Sequence, residues 1–265
     1  MEIWGFIASI IMGLSLGLIG GGGSILTVPI LVYLFHVDPL LSTAYSLFVV
    51  GITSALGSFS HFKKGNVHLK TAFIFGMPSI MAVYTIRKFV VPIIPDPVFS
   101  LDSLIVSRNL LIMIVFALLM VFSAVSMIKK SKFINERNEN IKHNLPLIFF
   151  EGIIVGGITG FVGAGGGFLI IPALVLFAGL PMKQAVGTSL LIIAMKSLIG
   201  FTGDLGTQIL DFRFMALLSM FATIGIILGS YISKYISNEK LKPVFGWFVM
   251  TMGVFILTKE IFFHG

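Results

Sequence analysis

Eight apolar segments, separated by short polar or proline-rich stretches, dominate the sequence. They lie near residues 3–35, 41–62, 70–91, 103–128, 145–178, 184–203, 211–234 and 243–262. A helix of about 20 apolar residues spans a hydrocarbon core of roughly 30 Å, and each segment reaches about that length. Only 11% of the residues are charged, and the mean hydropathy is +1.05. The sequence therefore predicts an all-α polytopic membrane protein.

Charge and motif content exclude several function classes. The net charge is +7, but in membrane proteins an excess of Lys and Arg usually lies in cytoplasmic loops, so no nucleic-acid partner is expected. The chain has no cysteine and five scattered histidines, which predicts no metal site and no cofactor. Glu2 stands where a signal peptide would carry basic residues, so no cleaved leader is expected. Because hydrolase and nucleotide-binding motifs are absent, we expect no enzyme.

An internal duplication divides the chain into two halves. Pro29 and Pro172 are 143 positions apart, and at that offset the surrounding glycines superpose. The match continues without a gap through Ser46 on Ser189 and Gly57 on Gly200. The sequence therefore predicts two homologous halves of four segments each, residues 1–128 and 145–265, joined by a charged linker at 129–144.

The first segment of each half determines whether the halves are inverted. As one helix, residues 3–35 would be about 50 Å long, more than a bilayer core needs. If the segment breaks, and its two arms each cross the membrane or fold back as a re-entrant pair, the second half is inverted. The inverted arrangement puts twelve Lys and Arg on one side and five on the other. The positive-inside rule then predicts inverted repeats in the plasma membrane, with residues 129–142 in the cytoplasm.

Two glycine clusters, each followed six residues later by proline, interrupt these first segments. They are "GLIGGGGSILTVPIL" at 17–31 and "GFVGAGGGFLIIPAL" at 160–174. Glycine costs roughly 1 kcal/mol and proline about 3 kcal/mol in a helix interior. Non-helical backbone at membrane depth is tolerated only where protein buries it or a polar cavity solvates it. The clusters therefore predict broken helices beside a cavity, which is where secondary transporters bind their substrates.

The breaks also predict the charge of the ligand. A short helical arm is expected to start at Ser24 and another at Gly167, and helix N-termini attract anions. The predicted binding residues at the breaks are Gly20, Gly21, Gly22, Gly23, Ser24, Thr27, Gly163, Gly165, Gly166 and Gly167. The alternative is that the glycines only allow close helix packing.

Polar residues inside the apolar segments supply further candidates. Lys196 is expected near mid-membrane, where it would supply countercharge to an anion. The alternatives are that it pairs with Glu151 or Asp204, or that its side chain extends to a membrane interface. Ser46, Thr188 and Ser189 are candidate cavity-lining residues, although each hydroxyl could instead bond its own helix. The candidates for gating or proton relay are His61, Asp204 and Glu151.

The two motifs, together with "STAYSLF", "HFKKGNVHLK" and "SLIGFTGDL", resemble the sulfite exporter TauE/SafE family of membrane transporters. The resemblance covers both halves. It implies a carrier for small sulfur-containing anions such as sulfite or organosulfonates, commonly directed outward. The expected partners are the lipid bilayer, a small anionic substrate, a coupling proton or cation, and a second copy in a homodimer. An anion channel and a non-transporting scaffold remain the alternatives.

Overall fold

The structure, a computed structural model, describes residues 2–101, 104–128, 145–233 and 238–263. Its α-helices are α1 (Glu2–Ile19), α2 (Thr27–Tyr33), α3 (Pro39–Lys63), α4 (Leu69–Thr85), α5 (Arg108–Ile128), α6 (Leu145–Val162), α7 (Gly167–Leu176), α8 (Met182–Thr202), α9 (Phe212–Ile232) and α10 (Asn238–Phe263). A 3-10 turn, Gly22–Leu26, precedes α2, while a π turn, Ile86–Val90, and a 3-10 turn, Val91–Ile93, extend α4. The predicted linker at 129–144 lies outside the described residues.

Several helices are long and apolar enough to cross a membrane. They are Pro39–Lys63, Leu69–Ile93, Arg108–Ile128, Met182–Thr202 and Phe212–Ile232. Shorter apolar helices cover Ile3–Ile19, Gly22–Tyr33 and Pro146–Val162. The prediction of a helical membrane protein is confirmed at this level. An antiparallel hairpin of β1 (Phe99–Leu101) and β2 (Leu104–Val106) occupies a stretch predicted partly as loop and partly as apolar segment.

The helices α1 and α2 fold back on each other. The ring of Phe35, just after α2, lies 5.3 Å from the ring of Phe6 near the start of α1. The same ring occupies the space beside Gly5. The chain therefore leaves this helix pair at the end of the bundle where it entered.

The helices α6 and α7 form a similar pair. Gly156 packs on Ser79 and Gly160 on Val83, so α6 runs in the same direction as α4. Gly187, near the start of α8, packs on Asn66, which lies just before α4. Because α6 and α8 both begin near the start of α4, α7 returns the chain between them.

Hydrogen bonds define the two ends of the bundle. At one end, which we call the Asp38 end, Asn109 donates to Asp38 and the Tyr33 hydroxyl donates to Glu260 over 2.8 Å. At the other, the Asn66 end, the α3–α4 turn meets the start of α8. Between them α3 and α8 cross in opposite directions and are the most buried of the candidate spans.

Candidate functional site

The first glycine cluster ends α1 and starts a new helical arm. The Gly20 amide donates to the Leu16 carbonyl over 2.8 Å, and Gly20 has φ +84°, the left-handed conformation that commonly terminates helices. The arm begins as a 3-10 turn at Gly22 and becomes α-helical at Thr27, rather than starting at Ser24. The Ser24 hydroxyl, predicted to face a ligand, donates to the Gly21 carbonyl over 2.7 Å.

The second glycine cluster repeats this geometry. The Gly163 amide donates to the Thr159 carbonyl over 2.9 Å, and Gly163 has φ +71°. α7 begins at Gly167, the predicted residue, with left-handed Gly166 as its N-cap. The first amide groups of such a helix lack intrahelical acceptors, and the positive end of the helix dipole lies there.

The two clusters touch each other inside the protein. A methyl group built on Gly21 would lie 2.2 Å from the Gly167 Cα, and the reverse distance is 2.1 Å. Ser24 lies beside Gly165, where the corresponding distance is 3.3 Å. The sequence predicted a cavity at this place, but bare glycine backbones let the two segments close together. The cavity described below lies at the Asp38 end instead.

Lys196 lies beside the second cluster and is fully buried. Its ammonium donates to the Thr159 hydroxyl over 2.7 Å, and that hydroxyl donates to the Val155 carbonyl over the same distance. A Cβ on Gly166 would lie 2.9 Å from the Lys196 Nζ, so the glycine makes room for the ammonium. Among the described side chains, Lys196 has no carboxylate partner, and the alternative pairing with Glu151 or Asp204 is not found.

Asp204 pairs with Arg87, which the charge count above includes among the five basic residues of the less positive side. Arg87 is completely buried, and its Nε and Nη2 atoms lie 2.8 and 2.7 Å from the Asp204 Oδ2. Its Nη1 donates to the Thr43 hydroxyl over 2.8 Å. An arginine inside an apolar segment was the signal available for finding this pair, but its partner lies 117 residues away along the chain.

Comparison of the sequence with known proteins identifies its family. The sequence profile of the sulfite exporter TauE/SafE family matches residues 5–256. The chain belongs to this family. No solved structure matches this TauE/SafE member.

Relatives of the TauE/SafE member are named as transporters. A probable membrane transporter protein of Xylella fastidiosa strain 9a5c is 29% identical over 255 residues, covering 94% of this chain and 92% of the relative. One from Methanocaldococcus jannaschii is 29% identical over 267 residues, covering 95% and 93%. One from Bacillus subtilis strain 168 is 25% identical over 236 residues, covering 88% and 89%. These relatives support a membrane transporter role and fit a protein that is not an enzyme.

The remaining predicted hydroxyl residues of the TauE/SafE member lie on α3 and α8, the helices that pack on the two glycine clusters. Thr188 accepts a hydrogen bond from the His68 amide over 2.9 Å, and Ser189 donates to the carbonyl of Val186. Ser46 is buried, and its hydroxyl has no partner among the described residues.

The three gating or relay candidates also lie apart. His61 is in the last turn of α3 near the Asn66 end, whereas Asp204 is at the Asp38 end. Glu151 is in the second turn of α6, and its Oε2 atom is buried without a partner in the described part of the chain. Their gating or relay roles stay predictions. Thr159, which contacts Lys196, was missed because its own segment reads as a run of small residues.

Proposed function

We propose that the protein is a multi-pass secondary transporter of the plasma membrane that carries small anions outward by alternating access. The cargo class is sulfur oxyanions or organosulfonates, in line with the name of the family. The observation that carries the proposal is Lys196, a buried ammonium whose hydrogen-bond partner is a neutral hydroxyl at the second break. A buried charge without a counterion costs several kcal/mol, and an anion bound beside it offsets that cost.

The proposal includes two homologous halves, 1–128 and 145–265, and reciprocal contacts support it. Gly13 packs on Ala222. At the offset of 143 residues, Gly13 corresponds to Gly156 and Ala222 corresponds to Ser79, and Gly156 packs on Ser79 as well. Likewise, Gly20 packs on Val186 while Gly163 packs on Thr43. Each contact is therefore repeated between the equivalent residues of the two halves, as expected when a two-fold axis relates the halves.

Equivalent hydrogen bonds at the two ends of the bundle support the same arrangement. The His68 amide donates to the Thr188 hydroxyl, and the Asp211 amide donates to the Tyr45 hydroxyl, each over 2.9 Å. His68 and Asp211 are 143 positions apart, as are Tyr45 and Thr188. Each amide belongs to the N-cap of a helix, α4 or α9. The two halves therefore make the equivalent hydrogen bond at opposite ends of the bundle.

The direction of the equivalent helices favours inverted repeats. Gly51 of α3 contacts Leu198 of α8, and Gly57 contacts Leu190, so the two helices are antiparallel. A two-fold axis that relates antiparallel helices lies in the membrane plane, as in many secondary transporters. The positive-inside rule then assigns the Asn66 end to the cytoplasm and the Asp38 end to the outside.

The binding site in this proposal lies where the two re-entrant pairs meet. The N-terminus of α7 and the ammonium of Lys196 supply positive charge, and Thr27 has a buried hydroxyl without a partner among the described residues. Because Gly21 and Gly167 are in contact here, anion binding requires the two pairs to separate. The linkage of separation to binding is the basis of alternating access.

Counterflow in proteoliposomes tests the proposal. Vesicles containing the purified protein are loaded with unlabelled sulfite, sulfate, thiosulfate, a sulfonate or a carboxylate, and the uptake of a trace of the same labelled anion is measured. A transporter gives saturable counterflow with at least one sulfur anion, and Lys196→Met abolishes or strongly reduces it. Lys183→Met, an exposed lysine at the start of the same helix, is the matched control. Flux without saturation or counterflow would indicate a channel, and the absence of any flux would favour a scaffold.

A further inference from the structure

A cavity of about 510 Å³ lies at the Asp38 end of the bundle. We call it the outer cavity. Its polar lining residues are Asp38, Arg108, Asp204, Thr207 and Gln208. One water molecule occupies about 30 Å³ of liquid volume, so the cavity has room for a small anion with several waters.

Arg108 provides an available cation in the wall of this cavity. It is the first residue of α5 and is half-buried, and its Nε atom is buried without a hydrogen-bond partner in the described ranges. Its Nη1 makes a long contact of 3.4 Å with the carbonyl of Ile94. A guanidinium with unused donors binds oxyanions well because its planar geometry matches two oxygens at once.

The Arg87–Asp204 pair separates the outer cavity from the second glycine cluster. Asp204 lines the cavity, Arg87 lies behind it, and Arg87 also holds Thr43. Thr43 is in turn the residue on which Gly163 packs, with 2.4 Å between a Cβ built on Gly163 and the Thr43 Cβ. An unbroken chain of contacts therefore runs from the outer cavity to the break.

The geometry of the Arg87–Asp204 pair allows another anion to replace the Asp204 carboxylate. Both the Nε and the Nη2 of Arg87 contact the same carboxylate oxygen, Oδ2. The strongest arginine pairs are bidentate, with two parallel hydrogen bonds to two oxygens. A small oxyanion entering the cavity supplies two such oxygens and is negatively charged, like the carboxylate it replaces.

The architecture does not require an ion pair at this place. At the repeat offset of 143 residues, the counterparts of Arg87 and Asp204 are Ser230 and His61. The Ser230 hydroxyl and the His61 Nδ1 are buried and have no hydrogen-bond partner in the part of the chain that the structure describes. Among the described residues, these two equivalent positions therefore carry no salt bridge. The pair is therefore a specific feature of the Asp38 end.

We propose that the outer cavity is a second anion-binding site, where Arg108 and Arg87 bind a small oxyanion that displaces Asp204 from Arg87. Asp204 pairs with Arg87 until the anion binds. When the anion replaces the carboxylate, the contact between Arg87 and Thr43 is released, which connects the cavity to the second glycine break. The proposal rests on the proposed function in one respect, because it takes the anion to be the transported cargo.

Anion titrations in a Lys196→Met background test this second site, since that change removes the cation at the break. Sulfite and sulfate are the probes, and the half-saturating concentration is measured from thermal unfolding at constant ionic strength. Asp204→Asn removes the competing carboxylate, so the half-saturating concentration should fall about tenfold or more. Arg108→Gln should raise it by a similar factor. Asp211→Asn, an exposed carboxylate at the same end, is the control and should change nothing.

The outcomes separate the two proposals. An unchanged half-saturating concentration in both Asp204→Asn and Arg108→Gln overturns the outer site, while loss of the main anion response in Lys196→Met still supports the break site. If Asp204→Asn does not fold, the Arg108→Gln titration decides alone. If neither probe stabilises the unmutated protein, the proposed function fails for these anions independently of any outer-site variant.

Discussion

Replacing Lys196 with methionine should weaken anion binding while leaving the fold intact. Methionine has a similar length and removes the charge, so the fully buried site keeps its volume. A hydrogen bond to a charged group contributes about 1.5–3 kcal/mol, which corresponds to a roughly 10- to 100-fold weaker anion affinity. Because the cost of burying the ammonium also disappears, the anion-free variant should unfold at the same or a higher temperature than the parent.

The size of the thermal shift follows from linkage. At an anion concentration 100 times the dissociation constant, the parent protein gains about 2.7 kcal/mol. With about 2–4 °C per kcal/mol, its midpoint should rise by roughly 5–11 °C. At the same concentration the Lys196→Met variant gains only about 0.4–1.4 kcal/mol, or roughly 1–6 °C.

Thermal unfolding of the purified protein in detergent measures both shifts across a panel of sulfite, sulfate, thiosulfate, sulfonates and carboxylates. Lys183→Met should respond like the parent, because that lysine is exposed at the start of α8. An undiminished shift in Lys196→Met would refute the role assigned to the ammonium. A shift lost equally in both variants would mean that general positive charge, and not the buried site, binds the anion.

Three other predictions follow from the fold. Gly21→Ala should lower the free energy of unfolding by at least about 1–3 kcal/mol, because the new methyl group would overlap the facing glycine backbone. Gly157→Ala should not lower it, because the space around Gly157 is open. Unfolding of the purified variants in detergent compares the two. Asp211→Ala should cost about 1 kcal/mol through loss of the α9 cap, while Asp211→Asn keeps it, and equal midpoints would contradict this. Since the chain lacks cysteine, Asn66→Cys and Thr207→Cys should label from opposite membrane faces, and labelling from one face would contradict the inverted arrangement.

Much of the helical layout could be predicted from the sequence because hydropathy and glycine act locally. The end of α1 at Ile19 and the start of α7 at Gly167 follow from residues that cannot continue a helix or that begin one. Whether the two arms of each broken segment cross the membrane or fold back on each other does not depend on the local sequence. It depends on packing such as that of Phe35 against Phe6, which hydropathy does not contain.

The site was harder to predict than the fold. Lys196 is found from the sequence because a charge inside an apolar segment is costly. Its partner Thr159 and the Arg87–Asp204 pair depend on which faces of distant helices meet. Hydroxyl groups show the same limit, since the sequence does not reveal that Ser24 and Ser189 each donate to a carbonyl three residues earlier.

Locating a bound anion directly tests the central claim that the cargo binds where the two glycine breaks meet. The selenium analogue of the anion selected by counterflow would be introduced into crystals, and its anomalous scattering measured. The account predicts a selenium peak between the Gly21 and Gly167 backbones, within hydrogen-bonding reach of the Lys196 ammonium, with or without a second peak in the outer cavity. Selenium peaks found elsewhere only, with the glycine backbones still in contact, would contradict it.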